Sequence, residues 1–148
     1  MSDICVIGLG YIGLPTALVL ATHGHKVVGV DINPEIVNRV KSGSISSEEP
    51  GLNELMSQAI ESGNLTATQE VKPSEIFVVA VPTPLSKQNS ADLSYISSAC
   101  NSIVPHLRKG TLVIIESTIP PGTTTNVALP ILETSGLMAR RDFQLAHC

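Results

Sequence analysis

Short apolar runs alternate along the whole chain with segments whose apolar residues recur at helical spacing. The apolar runs are typical of β-strands and cover residues 4–7, 26–30, 65–68, 75–81, 111–115 and 143–148. Strands separated by helices form parallel sheets, because a parallel connection has to cross over the sheet. The alternation therefore predicts an α/β fold, a doubly wound parallel sheet of about six strands with helices on both faces.

The helical segments carry their own start and stop signals. Asn33 is a good N-cap residue followed by Pro34, and Asp92 is placed to cap a later helix. Residues 48–49, both Glu, are expected to begin the helix that continues through residue 52. Pro130 falls inside the last helical segment and disfavours its second half. The helices are predicted over residues 11–23, from 34 to about 41, from 52 to about 62, over about 93–107 and from 123 to about 134.

The composition argues against several classes of protein. At 148 residues the chain has the size of one domain, and with 43% hydrophobic but only 3% aromatic residues its core must be aliphatic. The net charge of −4, without a basic cluster, argues against a nucleic-acid partner. No apolar run reaches membrane-spanning length, and residues 1–10 lack the layout of a signal peptide.

The three cysteines, Cys5, Cys100 and Cys148, lack the spacing of metal ligands. Cys5 lies in an apolar run and Cys100 in a helical segment, so both are expected to be small buried thiols. Free thiols are typical of a reducing compartment. We therefore expect no metal site and a cytoplasmic location.

A glycine pattern, Gly8, Gly10 and Gly13, follows the first apolar run and precedes the first helix. Asp31 ends the next strand, 21 residues after Gly10. A G-x-G-x-x-G pattern alone is a weak signal, and a glycine-rich turn without a ligand is its alternative. Between a strand and a helix, and with an acid at this distance, it is the dinucleotide-binding fingerprint of the Rossmann-type sheet.

Each residue of the fingerprint has a physical role. Gly8 permits the tight turn, Gly10 leaves room for a pyrophosphate, and Gly13 lets the helix pack closely on the strand. The free N–H groups at the helix N-terminus then face the phosphates. Asp31 is expected to accept hydrogen bonds from the adenosine ribose, and its charge repels a 2′-phosphate, so the cofactor is predicted to be NAD rather than NADP.

Five motifs follow one another along the chain. They are Gly8-Leu9-Gly10-Tyr11-Ile12-Gly13-Leu14-Pro15-Thr16-Ala17, Asp31-Ile32-Asn33, Glu49-Pro50-Gly51-Leu52, Val81-Pro82-Thr83-Pro84, and Glu116-Ser117-Thr118 running to Pro121-Gly122-Thr123-Thr124. In this order they resemble the UDP-glucose/GDP-mannose dehydrogenase family. Within the family, IGLGYIGLPTA and AVPTP are most similar to the UDP-N-acetyl-D-mannosamine dehydrogenases.

The resemblance implies oxidation of a sugar C6 alcohol to a carboxylate with two NAD per sugar. It further implies that residues 1–148 are the NAD-binding domain. The catalytic cysteine and the UDP-sugar site would lie in a central helical and a C-terminal domain outside this sequence. The expected partners are a UDP-sugar and, in a homo-oligomer, further copies of the full-length protein. The chain alone is expected to bind NAD without turning over a sugar.

The resemblance also implies roles for individual residues. Tyr11 and Ile12 match positions beside the NAD pyrophosphate, and Thr83 matches a contact to the nicotinamide half. Thr118 matches a threonine near the reacting centre that helps to hold a catalytic water, and it is placed in the cofactor site as well. Thr124 matches a contact to NAD. Turn formation at Thr83 and Thr118 and helix capping at Thr124 are the alternatives that turn and cap chemistry leaves open.

The same residues also allow other interpretations. Glu116 could be a catalytic carboxylate, but a solvated acid at a strand end is favoured. The β-hydroxyacid dehydrogenases also begin with Gly-Leu-Gly, yet they usually have Met where this chain has Ile12. UDP-glucose 6-dehydrogenase is the alternative within the family, and a regulatory NAD-sensing domain without enzymatic activity is the alternative outside it.

Overall fold

The computed structural model describes residues 1–44, 51–85 and 90–148. Six parallel strands form one sheet in the order β3-β2-β1-β4-β5-β6, so the predicted α/β Rossmann-type sheet is confirmed. The order reverses between β1 and β4. The strands are β1 (Asp3–Ile7), β2 (Lys26–Val30), β3 (Leu65–Thr68), β4 (Ile76–Val79), β5 (Leu112–Ile115) and β6 (Gln144–His147).

Five α-helices connect the strands among the described residues. The expected helix start at Glu48 and Glu49 lies outside them, and the following helix is described from Leu52. The helices are α1 (Gly13–Thr22), α2 (Pro34–Ser42), α3 (Leu52–Glu61), α4 (Ser94–Ile103) and α5 (Leu129–Glu133).

Proline accounts for two departures from the predicted helices. The helix predicted to about residue 107 ends as α4 at Ile103 and continues as a 3₁₀ turn over Val104–His106. Pro105 has no N–H to continue the α-helical pattern there. The segment predicted as one helix from Thr123 is a π-helical turn over Thr124–Ala128 followed by the short α5, which contains Pro130.

The predicted cap of α2 is present, whereas Asp92 lies one residue before the N-cap position of α4, which is Leu93. The side-chain Oδ1 of Asn33 accepts a 2.9 Å hydrogen bond from the backbone N–H of Glu35 at the start of α2. Gly43 ends that helix in the left-handed conformation, with φ of 69°. At the start of α4, Oδ1 of Asp92 accepts a 2.9 Å hydrogen bond from the backbone N–H of Ser94. Local sequence chemistry thus fixes these helix ends.

The core lies on both faces of the sheet because successive strand residues point in opposite directions. Val6 and Val78 pack on the face covered by α1, α2 and α3, whereas Phe77 and Val79 pack on the face with α4 and α5. Cys5 and Cys100 are fully buried in this second layer, and burial raises the pKa of Cys100 to about 12. Cys148 is exposed.

None of the helices in the described part of the chain combines the length and apolarity that crossing a membrane requires. No group of three or more His, Cys, Asp or Glu side chains placed to hold a metal ion occurs in residues 1–44, 51–85 and 90–148.

Candidate functional site

The sheet brings the predicted site residues to one edge. The glycine loop follows β1, Asp31 follows β2, Thr83 lies shortly after β4, and Thr118 lies shortly after β5. These strands are parallel, so their carboxyl ends meet at the same edge. Ligands of doubly wound sheets bind at this edge, where the strand order reverses between β1 and β4.

Two of the three glycines are required by close backbone packing. Gly8 has φ of 93°, and a Cβ on it would lie 2.5 Å from the carbonyl oxygen of Ala80 on the adjoining chain segment. A Cβ on Gly13 would overlap the carbonyl oxygen of Gly8. These two glycines therefore set the turn and the close approach of α1, as the fingerprint predicts.

Gly10 has a different environment. A Cβ on Gly10 would meet no atom within 4 Å, because the residue faces open space. That space belongs to two cavities, both of which Gly10 lines. The loop thus leaves a side-chain-free opening at the N-terminus of α1, where an anion is favoured by the free N–H groups and the helix dipole.

Leu9 attaches the glycine loop to β2. Its side chain is buried and packs over Gly29 of β2, where a Cβ would lie 2.8 Å from Leu9 Cδ2. Gly29 therefore makes room for Leu9, a relationship that the sequence pattern KVVGV does not reveal. The backbone N–H of Gly8 also donates a 2.8 Å hydrogen bond to the carbonyl oxygen of Val30. The loop is fixed to β2 by packing and by hydrogen bonding.

Asp31 is held by backbone groups on both carboxylate oxygens. The N–H of Leu9 donates to Oδ2 at 2.9 Å, and the N–H of Asn33 donates to Oδ1 at 2.8 Å. Each oxygen keeps a further lone pair, since a carboxylate has about four acceptor positions. Asp31 is partly exposed and lines the larger of the two cavities, so it can accept further hydrogen bonds from a ligand there.

The larger cavity has a volume of about 550 Å³ and lies between the ends of β1 and β2 and the helix α4. Its wall is mostly apolar, and Asp31 is one of the residues that line it. A planar base with an attached ribose matches this combination of apolar wall and strand-end carboxylate. Its other lining residues include Ile32, Val71, Tyr95, Ser98 and His106.

The smaller cavity has a volume of about 270 Å³ and lies between the glycine loop and the ends of β4 and β5. Tyr11 and Ile12 line it from the glycine loop, and Thr83 and Thr118 line it from the segments after β4 and β5. Tyr11 and Ile12 are 79% and 50% exposed, unusual values for large apolar side chains in a folded domain. The two cavities meet at Gly10, so a two-part ligand can occupy both.

The wall of the smaller cavity is held together by hydroxyl groups. Thr83 Oγ1 donates a 2.7 Å hydrogen bond to the carbonyl oxygen of Thr118. Ser117 Oγ donates a 2.7 Å hydrogen bond to the carbonyl oxygen of Val81. Sequence reasoning gave no role to Ser117, although a hydroxyl at a buried strand-end position is a signal for such a bond. The segments after β4 and β5 are thus joined side by side.

Thr124 is not brought into this arrangement. It is half-buried, begins the π-helical turn after β5, and is not among the lining residues of either cavity as described. Its contact to NAD stays a prediction, as do the contacts expected of Tyr11, Ile12, Thr83 and Thr118.

Glu116 differs from the expected solvated acid. It is half-buried, and its Oε1 accepts a 2.9 Å hydrogen bond from Thr16 Oγ1 on α1. Its Oε2 is buried and has no hydrogen-bond partner among the described residues. The expectation was wrong because a sequence pattern does not show that α1, 100 residues away, covers the end of β5.

The fold and the strand-edge site define a dinucleotide-binding domain. The family model described as the UDP-glucose/GDP-mannose dehydrogenase family, NAD binding domain, matches residues 2–148. The chain belongs to this family, and its cofactor is NAD. The open space at Gly10 and the carboxylate of Asp31 fit a pyrophosphate and an adenosine ribose that carries no 2′-phosphate.

Known relatives agree with the family match. A UDP-N-acetyl-D-mannosamine dehydrogenase from Methanococcus maripaludis is 48% identical over 152 residues, covering all of this chain and 34% of the relative. An NDP-N-acetyl-D-galactosaminuronic acid dehydrogenase from Ralstonia nicotianae is 47% identical over 125 residues, covering 84% of this chain and 30% of the relative.

A solved structure agrees as well. The UDP-N-acetyl-mannosamine dehydrogenase from Staphylococcus aureus superposes with a TM-score of 0.94 at 42% identity, covering 99% of this chain and 36% of that one. The chain thus spans about a third of the length of the proteins it matches.

Proposed function

We propose that this chain holds NAD for a nucleotide-sugar 6-dehydrogenase that oxidises the C6 alcohol of UDP-N-acetyl-D-mannosamine to a carboxylate. The observation that carries the proposal is that Asp31 lines one cavity, Thr83 and Thr118 line a second, and Gly10 of the glycine loop lines both. The names of the relatives from Methanococcus maripaludis and Staphylococcus aureus support the choice of sugar.

In this proposal the larger cavity takes the adenosine half of NAD. Asp31 accepts hydrogen bonds from the ribose hydroxyls while the N–H groups of Leu9 and Asn33 keep its carboxylate in place. Its negative charge disfavours a 2′-phosphate at the same position. The backbone at Gly10, Tyr11 and Ile12 lies along the pyrophosphate, next to the positive end of α1.

The smaller cavity takes the nicotinamide half. NAD supplies the chemistry of the oxidation, because its nicotinamide ring accepts a hydride from the substrate carbon. Thr83 contacts this half and is oriented by its bond to the carbonyl of Thr118. The Thr118 side chain is exposed at the cavity and acts there as an auxiliary group that orients a water molecule. The contact of Thr124 to NAD rests on the resemblance to the family alone, because Thr124 lines neither described cavity.

The proposal gives Cys148 no role as a nucleophile. The residue directly follows β6, and its N–H donates to the carbonyl of Ile115 in continuation of the sheet. It lines neither described cavity. The nucleophilic cysteine and the sugar-binding residues are instead placed in the part of the relatives that this chain does not cover.

We also infer a cytoplasmic location and a homo-oligomeric full-length protein, with no nucleic-acid partner. Free, fully buried thiols at Cys5 and Cys100 support a reducing compartment. The acidic net charge of −4 supports the exclusion of nucleic acid. The oligomer rests on the resemblance to the family.

The proposal is tested in two steps. Calorimetric titration of the 148-residue chain should show binding of NAD and much weaker binding of NADP, with no NADH formed when a UDP-sugar is added. The complete protein encoded by the reading frame that contains this chain should then reduce two NAD per UDP-N-acetyl-D-mannosamine. Equal affinity for NADP would contradict the role of Asp31, and turnover of UDP-N-acetyl-D-galactosamine or UDP-glucose alone would contradict the choice of sugar.

A further inference from the structure

A hydrogen bond between Thr16 and Glu116 connects two parts of the site that are 100 residues apart in sequence. Thr16 lies in the first turns of α1, directly behind the glycine loop, and Glu116 directly follows β5. The hydroxyl of Thr16 donates to Oε1 of Glu116 at 2.9 Å, and both residues are half-buried. Shielding from water strengthens such a hydrogen bond relative to one on the surface.

On the side of α1, Thr16 is bonded to a residue that lines the smaller cavity. The N–H of Thr16 donates to the carbonyl oxygen of Ile12 at 3.2 Å, one helical turn away. Ile12 and the preceding Tyr11 form the loop-side wall of that cavity. The position of Thr16 therefore sets the position of this wall.

On the side of β5, Glu116 is close in sequence to the residues that line the cavity from the ends of β4 and β5. The backbone N–H groups of Glu116 and Ser117 both donate to the carbonyl oxygen of Val79, at 2.8 and 3.2 Å. The carbonyl oxygen of the next residue, Thr118, accepts a hydrogen bond from Thr83 Oγ1. Glu116 is thus fixed to the ends of β4 and β5, and its side chain reaches across to α1.

We infer that Thr16 and Glu116 are positioning residues that set the width of the smaller cavity and thereby the affinity for the nicotinamide half of NAD. This inference rests on the proposed occupancy of that cavity by the nicotinamide half. The adenosine half depends on a separate set of bonds, from Gly8 to Val30 and from Leu9 to Asp31. ADP shares with NAD the pyrophosphate that lies along Tyr11 and Ile12, but NAD also fills the smaller cavity. Loss of the Thr16–Glu116 bond should therefore weaken the binding of NAD more than that of ADP.

Glu116 has a second carboxylate oxygen, Oε2, that is buried and that the bond to Thr16 does not use. A buried carboxylate oxygen without a hydrogen-bond partner among the described residues costs free energy, and an apolar side chain would avoid that cost. Glu116 does provide a hydrogen-bond acceptor, Oε1, for the hydroxyl of Thr16. The positioning role requires an acceptor oxygen and not a negative charge, which a conservative variant can distinguish.

The test compares NAD with ADP, which retains the adenosine and the pyrophosphate but lacks the nicotinamide half. The nearly isosteric Thr16→Val should raise the ratio of the NAD Kd to the ADP Kd by about fivefold, the size of effect expected for one lost hydrogen bond. Glu116→Leu should do the same. Thr16→Ser and Glu116→Gln, which keep the donor and the acceptor, should leave the ratio close to that of the wild type.

Ser62→Ala is the matched control, because Ser62 Oγ donates a 2.8 Å hydrogen bond to the carbonyl of Ala59 at the far end of α3. It should lower the melting temperature without changing the NAD-to-ADP ratio. Equal weakening of both ligands in Thr16→Val would show a purely structural role and overturn the inference. Weakening in Glu116→Gln as large as in Glu116→Leu would overturn it in favour of a direct effect of charge.

Hydrogen exchange gives a readout that does not depend on ligand binding. Thr16→Val should speed exchange at the backbone N–H of residue 16, while exchange at Leu9 stays the same. Unchanged exchange at residue 16 would count against the inference. A wild-type chain that binds neither NAD nor ADP would contradict the proposed function itself. A wild-type chain that binds both, with an unchanged ratio in Thr16→Val, would contradict only the positioning role.

Discussion

The backbone N–H of Leu9 donates a 2.9 Å hydrogen bond to Oδ2 of Asp31, so the glycine loop and the acid at the end of β2 form one unit. The carboxylate that is proposed to bind the ribose also fixes the loop that is proposed to bind the pyrophosphate. Substitution of Asp31 should consequently affect NAD binding both directly and through the loop.

Asp31→Ala should weaken NAD binding by about 1–3 kcal/mol, because hydrogen bonds to the ribose and to the loop are both lost. Asp31→Asn keeps an oxygen that can accept from the N–H of Leu9 but removes the charge. It should narrow the difference in affinity between NAD and NADP. Isothermal titration with both dinucleotides checks this, and an unchanged NAD affinity in Asp31→Ala would remove the residue from the site.

Gly10→Ala should leave the fold intact and reduce NAD binding by at least about tenfold. Its added Cβ points into open space within the domain, so no protein atom is displaced, but the same space is where the pyrophosphate is proposed to lie. Circular dichroism should show wild-type melting while titration shows the loss. Gly13→Ala is the contrasting variant, because its Cβ would overlap the Gly8 carbonyl and should prevent stable folding.

Sequence signals predicted those parts of the molecule that local chemistry determines. The strand Lys26–Val30, the start of α2 at Pro34, and its end before Gly43 agree with the structure. Each depends on residues within a few positions of one another: an apolar run, an N-cap followed by proline, or a glycine with positive φ. The glycine loop and Asp31 were recognised for the same reason, since their spacing is fixed.

Relationships across the sheet could not be predicted in this way. The bond from Thr16 to Glu116 joins residues 100 positions apart, and the bond from Thr83 to Thr118 joins residues 35 apart. Whether a strand-end acid is solvated depends on which helix covers it, and a hydropathy pattern holds no such information. Sequence reasoning also gave no role to Asp142, which the structure buries.

Asp142 should contribute to stability in a pH-dependent manner. Hydrogen bonds from the Arg141 guanidinium at 2.7 and 3.0 Å, and from the N–H of Met138 at 3.0 Å, lower the pKa of Asp142 from 3.8 to about 2. Lys109 also lies 3.4 Å from its other oxygen. The unfolded chain therefore binds a proton at higher pH than the folded one, so the stabilisation is fully present above about pH 4 and is lost as the pH falls towards 2.

Urea unfolding of the wild type and Asp142→Asn between pH 7 and pH 2 measures this contribution. The variant should be less stable at pH 7, and the difference between the two proteins should shrink as the pH falls below about 4. Affinity for NAD should be the same in both, because Asp142 immediately precedes Phe143 and β6 at the opposite edge of the sheet from the cavities. A stability difference that stays constant down to pH 2 would contradict the lowered pKa.

Thr83→Val should weaken binding of NAD while leaving ADP binding unchanged. The substitution removes the 2.7 Å hydrogen bond to the Thr118 carbonyl but keeps the shape of the side chain, so the wall of the smaller cavity loses a link between the ends of β4 and β5. The loss should be about 1 kcal/mol, as for other single hydrogen bonds. Thr83→Ser retains the hydroxyl and should bind NAD like the wild type. Titration of all three proteins with NAD and ADP decides the matter: if Thr83→Val binds NAD normally, the threonine only ends the strand, and the nicotinamide contact proposed for it is wrong.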